Sequence, residues 1–223
     1  MWVHSILMYA MLCTRPDLAC AVSVLSQYLD KPKATHIKLV KHLFQYVAAN
    51  PDINLVYSSN EDKTLVGYAD ASYANEEGYF SRSGFGFMIG DSLVSWCSQK
   101  QPIHAQSAAE AEYYAAVSAS NEAVWLKQLM EDLGNHQKTI TIHEDNQACI
   151  ALSKNPQDHK RTKHIQIKYH VIRDYVNKGI IKLVYCPTKD QLADMFTKGV
   201  SGCILRPMLK GFGLQSLKSH GES

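Results

Sequence analysis

The chain has 223 residues, 46% of them apolar and 20% charged, with a formal net charge of +2. These proportions suit one compact domain with a smaller appendage, and they exclude a disordered chain or one whose overall charge draws it to polyanions. Cys13, Cys20, Cys97, Cys149, Cys186 and Cys203 form no Cys-x-x-Cys pair and show no zinc spacing, so reduced thiols in an intracellular protein, cytoplasmic or nuclear, are expected. No apolar run is long enough to cross a bilayer, and Met1 to Ala10, which contains His4, leads into helix-like sequence rather than reading as a secretory signal.

In chain order, residues 5–30 have helical spacing interrupted at Pro16, with Leu18, Ala21, Val22, Leu25 and Leu29 on one face of the second run. A third helix, Thr35 to Ala49, carries Ile37, Val40, Leu43, Phe44 and Val47 and stops at Asn50-Pro51. These helices carry more apolar surface than a small hairpin can bury, so they are expected to belong to something larger. Strand texture begins near Leu55 and continues through Thr64–Asp70, Gly84–Ile89 and Ser92–Cys97, the last two joined by the turn signal Gly90-Asp91. A long helix from Ala108 to Leu133 ends at Gly134. A strand from Thr139 to Asp145 and a helix from Gln147 to Ser153 follow. Ile165 to Asn177 reads as a helix, Ile180 to Tyr185 as a strand and Asp190 to Lys198 as a last helix, with a flexible tail from Ser201. The order predicts an α/β fold. Three antiparallel strands precede strands reached by helical crossovers, giving a mixed five-stranded sheet with helices on both faces, preceded by a small all-helical segment. The expected divisions are 1–58, 59–200 and 201–223.

Four acids fall at element ends: Asp70, Glu112, Asp145 and Asp194. Carboxylates so placed can converge over one sheet edge. Phosphodiester hydrolysis uses such a cluster to hold two hard cations, which activate a water and stabilise the leaving oxygen. Any one of these acids alone reads better as a turn cap or a solvated group. The weight rests on the set and its surroundings.

Those surroundings are Gly67-Tyr68-Ala69-Asp70-Ala71-Ser72-Tyr73-Ala74, Ser81-Arg82-Ser83-Gly84-Phe85, Val94-Ser95-Trp96-Cys97-Ser98-Gln99-Lys100-Gln101 and Ser107-Ala108-Ala109-Glu110-Ala111-Glu112-Tyr113. Further on come Asp145-Asn146-Gln147-Ala148-Cys149-Ile150, Arg161-Thr162-Lys163-His164-Ile165 and Gln191-Leu192-Ala193-Asp194-Met195-Phe196-Thr197-Lys198. Together they resemble the RNase H region of copia-type retrotransposon Pol polyproteins, nearly continuously from residue 5 to residue 199. The resemblance implies an endonuclease that cuts the RNA strand of RNA–DNA hybrids, leaving 5′-phosphate and 3′-hydroxyl ends. It implies two Mg2+ ions, with Mn2+ as a substitute, held by Asp70, Glu112, Asp145 and Asp194. Neither a small-molecule substrate nor a membrane partner is expected. A non-catalytic, domesticated or degenerate nucleic-acid-binding remnant is the alternative.

Glu110 and Glu112 differ by about 200° around a helix, so they cannot serve one site together. Glu112 is preferred because Tyr113, Ala116, Val117 and Val124 then pack on the sheet. Glu110 is expected to be exposed or paired with a basic group. To recognise RNA by its 2′-OH, Ser72, Gln106, Ser107, Asn146 and Gln147 are candidates, with helix or turn capping as their alternative. The basic stretch Lys154 to Arg173, with Lys160, Arg161 and Lys163, is a candidate phosphate grip. His164 is a candidate proton carrier at the leaving group, against a purely structural role. Tyr73, Phe85, Phe87, Trp96 and Trp125 are assigned to the core.

The run Leu7-Met8-Tyr9 to Cys13-Thr14-Arg15-Pro16-Asp17 resembles the helical thumb and connection that follow a copia-type polymerase palm. The Tyr-x-Asp-Asp signature of polymerases is not in the sequence, so no polymerase site is expected in this chain. The remainder of a reverse transcriptase becomes a candidate partner. Apolar helices without that partner predict poor solubility or self-association.

Overall fold

A computed structural model describes residues 2–58, 62–154 and 171–216. Its N-terminal part is helical: α1 (Trp2–Cys13), a 3-10 turn at Pro16–Leu18, α2 (Ala19–Ser26) and α3 (Ala34–Ala49), followed by the short strand β1 (Ile53–Leu55). Pro16 opens the 3-10 turn, where the missing N–H costs nothing. Leu7, Leu18, Val22 and Leu43 form a small core between the helices. Arg15 pairs with Asp17 at 2.8 Å and also donates to the Asn50 carbonyl, while the Tyr46 hydroxyl donates to Asp17.

The sheet begins with the antiparallel strands β2 (Leu65–Ser72), β3 (Arg82–Ile89) and β4 (Ser92–Lys100). The β3–β4 turn contains Gly90 at φ 61, a left-handed backbone that glycine accepts without strain. The 25-residue helix α4 (Ala108–Asp132) then carries the chain across to β5 (Ile140–Glu144), which pairs parallel to β2. After α5 (Gln147–Lys154) and helical residues 171–177 (α6), β6 (Ile181–Tyr185) pairs parallel to β5. The resulting order is β4-β3-β2-β5-β6, the mixed five-stranded sheet expected from the sequence.

Both sheet faces are covered. On one, Leu65, Ala69, Phe85, Phe87, Ile140 and Ile142 pack against α4, α5 and α6. On the other, Met88 and Leu93 pack under α2, α7 (Asp194–Thr197) and α8 (Gly202–Gly211) through Ala19, Phe196, Met208 and Phe212. The helical segment therefore bears directly on the sheet, and the Trp96 indole N–H donates to the Met11 carbonyl at 3.0 Å. Buried Arg82 on β3 joins the two parts, donating to Ser23 of α2, to Ser98 of β4 and to Glu76.

Three expectations are corrected. Instead of a flexible tail from Ser201, residues 202–216 form α8 and β7 (Leu214–Ser216), and β7 pairs antiparallel with β1. Met208, Leu209, Phe212 and Leu214 supply the apolar burial that fixes it. The last helix of the domain is not continuous from Asp190: a 3-10 turn covers Thr188–Asp190, and only Asp194–Thr197 is α-helical. Tyr73 and Trp125 are 45% and 58% exposed, so neither belongs to the core.

Candidate active site

Parallel strands present their carboxyl ends at the same sheet edge. Tyr68 of β2 lies opposite His143 of β5, so Asp70 and Asp145, each two residues further on, leave adjacent strands at one end. The N-terminal part of α4 brings Glu112 over that edge. Its start is fixed by Ser107, whose side chain accepts the Glu110 N–H, while the Glu110 carboxylate accepts the Gln106 N–H at 2.8 Å. Buried Gln101 donates to the Ala111 carbonyl and to Ser83, tying α4 to β3 next to Glu112.

Asp70, Glu112 and Asp145 each bring one carboxylate oxygen within 4.8 Å of the other two. Asp70 and Glu112 are buried, and Asp145 is half-buried. The Thr197 hydroxyl donates to Asp70, and the Thr188 hydroxyl donates to Asp145 at 2.7 Å. Asp194 is buried beside this trio but outside it. Its charge is the largest of those acting on Asp70, and its own Oδ1 lies 2.7 Å from the Lys198 ammonium, an ion pair rather than an aligned hydrogen bond.

The cluster is electrostatically strained. Burial first, and the Asp194 charge next, push the Asp70 carboxyl up to about 7. Burial, then Glu144, Asp70 and Asp145, hold Glu112 far above the usual carboxylate range, and its Oε2 has no hydrogen-bond partner. Burial is the largest single effect on Lys198 and opposes its charge, but Asp194, Asp70 and Asp145 together outweigh it and raise the ammonium's pKa. Closely set carboxyls with an unpartnered buried oxygen suit a hard divalent cation, which accepts oxygen ligands and relieves the repulsion.

The other candidate residues are placed as follows. Ser72 is half-buried at the end of β2, and Gln106, Ser107 and Gln147 are exposed on the rim. Asn146 caps α5, its side-chain oxygen accepting the Cys149 N–H at 3.0 Å. Glu110 is half-buried and makes the helix-start bond described above, with no ion pair among the described residues. Lys160, Arg161, Lys163 and His164 lie outside the described residues.

Sequence reasoning missed Glu144, Thr188, Gln191 and Lys198. Glu144 is fully buried below Asp145; its Oε1 accepts the Asn146 N–H, and its Oε2 has no hydrogen-bond partner. Gln191, also fully buried, donates to the Ala69 carbonyl and accepts the Ala193 N–H, binding the α7 turn to β2 beside Asp70. Of these, Lys198 alone carried a signal: it sits four residues after Asp194, one helical turn along.

The sheet order, with its crossover through α4 and its helices on both faces, is that of an RNase H-like domain. No protein-family model matches the chain. It is 40% identical over 195 residues to the retrovirus-related Pol polyprotein from transposon TNT 1-94 of Nicotiana tabacum, covering 87% of this chain and 15% of that protein. It is 36% identical over 190 residues to the Pol polyprotein from transposon RE1 of Arabidopsis thaliana, covering 84% and 13%. These homologues over most of the chain are Ty1/copia-type retrotransposon Pol polyproteins, and the chain spans 13–15% of their length. A 121-residue stretch, 54% of this chain, is 42% identical to secreted RxLR effector protein 161 of Plasmopara viticola and covers 85% of that protein. Similar solved structures include LC11-RNase H1 isolated from compost, at 17% identity and TM-score 0.44 over 60% of this chain and 93% of that one. Another is a foamy viral protease-reverse transcriptase in complex with RNA/DNA hybrid, at 17% identity and TM-score 0.44 over 75% and 26%. Among the described residues, no helix is long and apolar enough to cross a membrane.

Proposed function

We propose that this chain is the RNase H part of a copia-type reverse transcriptase polyprotein and hydrolyses the RNA strand of RNA–DNA hybrids. One observation carries the reading: Asp70, Glu112 and Asp145 come from three separate elements, yet their oxygens gather within 4.8 Å at the carboxyl edge of the sheet. These three acids would hold divalent cations, two Mg2+ ions with Mn2+ as a substitute, with Asp194 as the fourth ligand. Bound there, such ions make a water nucleophilic at neutral pH and stabilise the departing oxygen. The chain's own work is to aim the acids, through Thr197 on Asp70, Thr188 on Asp145 and the capped start of α4 under Glu112.

Ser72, Gln106, Ser107, Asn146 and Gln147 border the cluster and would meet the 2′-OH groups of the RNA strand in the minor groove. Lys160, Arg161 and Lys163 would grip phosphates, and His164 would carry a proton to the leaving group. Residues 1–58 are read as a remnant of the thumb and connection, and 59–200 as the RNase H domain. The polymerase would be supplied by the rest of a reverse transcriptase. The protein would work inside the cell, in cytoplasm or nucleus, consistent with six free thiols.

The test is an end-labelled RNA–DNA hybrid incubated with Mg2+ and the full chain or Asp145→Asn. RNA cleavage by the wild type alone supports the enzyme. Equal binding of the hybrid by both proteins, with cleavage by neither, selects the non-catalytic remnant instead.

A further inference from the structure

Asp194 is placed to join the other three acids but does not. The reason lies one turn further along its own helix. Its Oδ1 is 2.7 Å from the Lys198 ammonium; the Lys198 side chain is 41% exposed, whereas that of Asp194 is 8% exposed. The backbone beneath the pair is pinned on every side. The Lys198 N–H donates to the Asp194 carbonyl, the Ser98 hydroxyl to the Phe196 carbonyl and the Thr197 hydroxyl to Asp70. Gln191 holds the incoming turn to β2. Because α7 is fixed, the reach of the Asp194 carboxylate depends on its side-chain torsions, and these are committed to Lys198. The ammonium also lies within the field of Asp70 and Asp145.

We infer that Lys198 is a built-in counter-ion for the fourth acid, so that Asp194 becomes a cation ligand only when the ammonium releases it. This rests on the metal-binding reading above and assigns Lys198 a positioning role that acts through Asp194. The free protein then has one strong cation site, made by Asp70, Glu112 and Asp145. A second site needs Asp194 and stays weak while Lys198 occupies that carboxylate. Nucleic-acid phosphates arriving at the rim offer the ammonium another anion and so free the acid.

The inference is tested by Mn2+ binding to the full chain without nucleic acid, followed by the electron paramagnetic resonance signal of free Mn2+. The wild type is expected to retain one ion tightly and a second weakly. Lys198→Met should tighten the second by about tenfold or more, since it removes a positive charge a few ångströms from the site. Lys198→Arg, which keeps the charge, should resemble the wild type. A Lys198→Met curve that superimposes on the wild type, or is weaker, overturns the inference. So does loss of fold in both Lys198→Met and Lys198→Gln by circular dichroism, which would make the pair a structural tie. A wild type that binds no Mn2+, or that binds as well after Asp145→Asn, instead sinks the metal reading itself.

Discussion

Gly84 is the cross-strand partner of Asp70, and a Cβ at that glycine would lie 2.6 Å from the Phe196 Cβ and 2.7 Å from the Thr197 Cγ2. The bare backbone lets α7 settle onto β3, which brings the Thr197 hydroxyl to Asp70. Gly84→Ala is therefore expected to push α7 off the sheet. Overpacking of this kind costs about 1–3 kcal/mol, and the same shift should depress hybrid cleavage. Urea unfolding with a parallel cleavage assay checks both; an alanine variant with wild-type stability would show that α7 has room to spare.

Removing a carboxylate should separate stability from activity. Glu112 is buried with an unpartnered oxygen among like charges, so the cation-free protein must keep it protonated well above its ordinary range, a cost that Glu112→Gln removes. In chelator near pH 8 the variant should gain about 1–3 kcal/mol. It should also lose hybrid cleavage by more than about a hundredfold. Thermal melts in chelator report the first effect. A variant less stable than wild type under those conditions would contradict the strain described here.

The pH dependence follows from the same groups. Burial and the neighbouring Asp194 raise the Asp70 pKa from 3.8 to about 7, so the folded chain keeps a proton that the unfolded chain releases. Between these values the folded state binds more protons, and cation-free stability falls as pH rises. Glu112 and Glu144 are shifted in the same direction and extend the fall to higher pH. Mg2+ binds the ionised acids, so it should flatten or reverse the slope. Melting temperatures across pH, with chelator and with Mg2+, measure this; a chelator curve that climbs from pH 5 to pH 8 would contradict it.

Arg82 joins the helical segment to the sheet. Its guanidinium is buried against Glu76 at 2.5 Å and against Ser23 and Ser98. Arg82→Met leaves the Glu76 carboxylate, 9% exposed, with the Gln27 amide but without its cation, at a cost of about 3–5 kcal/mol. Denaturation midpoints give the magnitude, and tryptic cleavage near α2 should accelerate if the helices loosen from β4.

The legibility of this fold differs from element to element. Strand periodicity, the Gly90 turn and the Gly134 stop are local signals, and they located the sheet strands and α4 to within a few residues; Gly179 follows the helical residues 171–177, and the expected helix start at Ile165 lies outside the described residues. Glu112 was separable from Glu110 because helical rotation assigns them to different sides, although Ala123 and Leu126, rather than Val124, complete the buried stripe. α8 was legible too. Leu205, Met208, Leu209 and Phe212 have helical spacing, but the glycines, serines and lysines around them suggested a loose tail. Glu144 was hidden for a different reason. In a strand it points opposite to Asp145, beneath α4, and only the packed helix reveals that this acid is buried. The Arg82–Ser23 contact spans 59 residues and leaves no trace in local pattern.

The most direct test of the gathered acids is anomalous diffraction from crystals of the chain soaked in Mn2+. A peak within coordination distance of carboxylate oxygens from Asp70, Glu112 and Asp145 together is the expected result. A map with no peak there, or with Mn2+ elsewhere on the molecule, would contradict it.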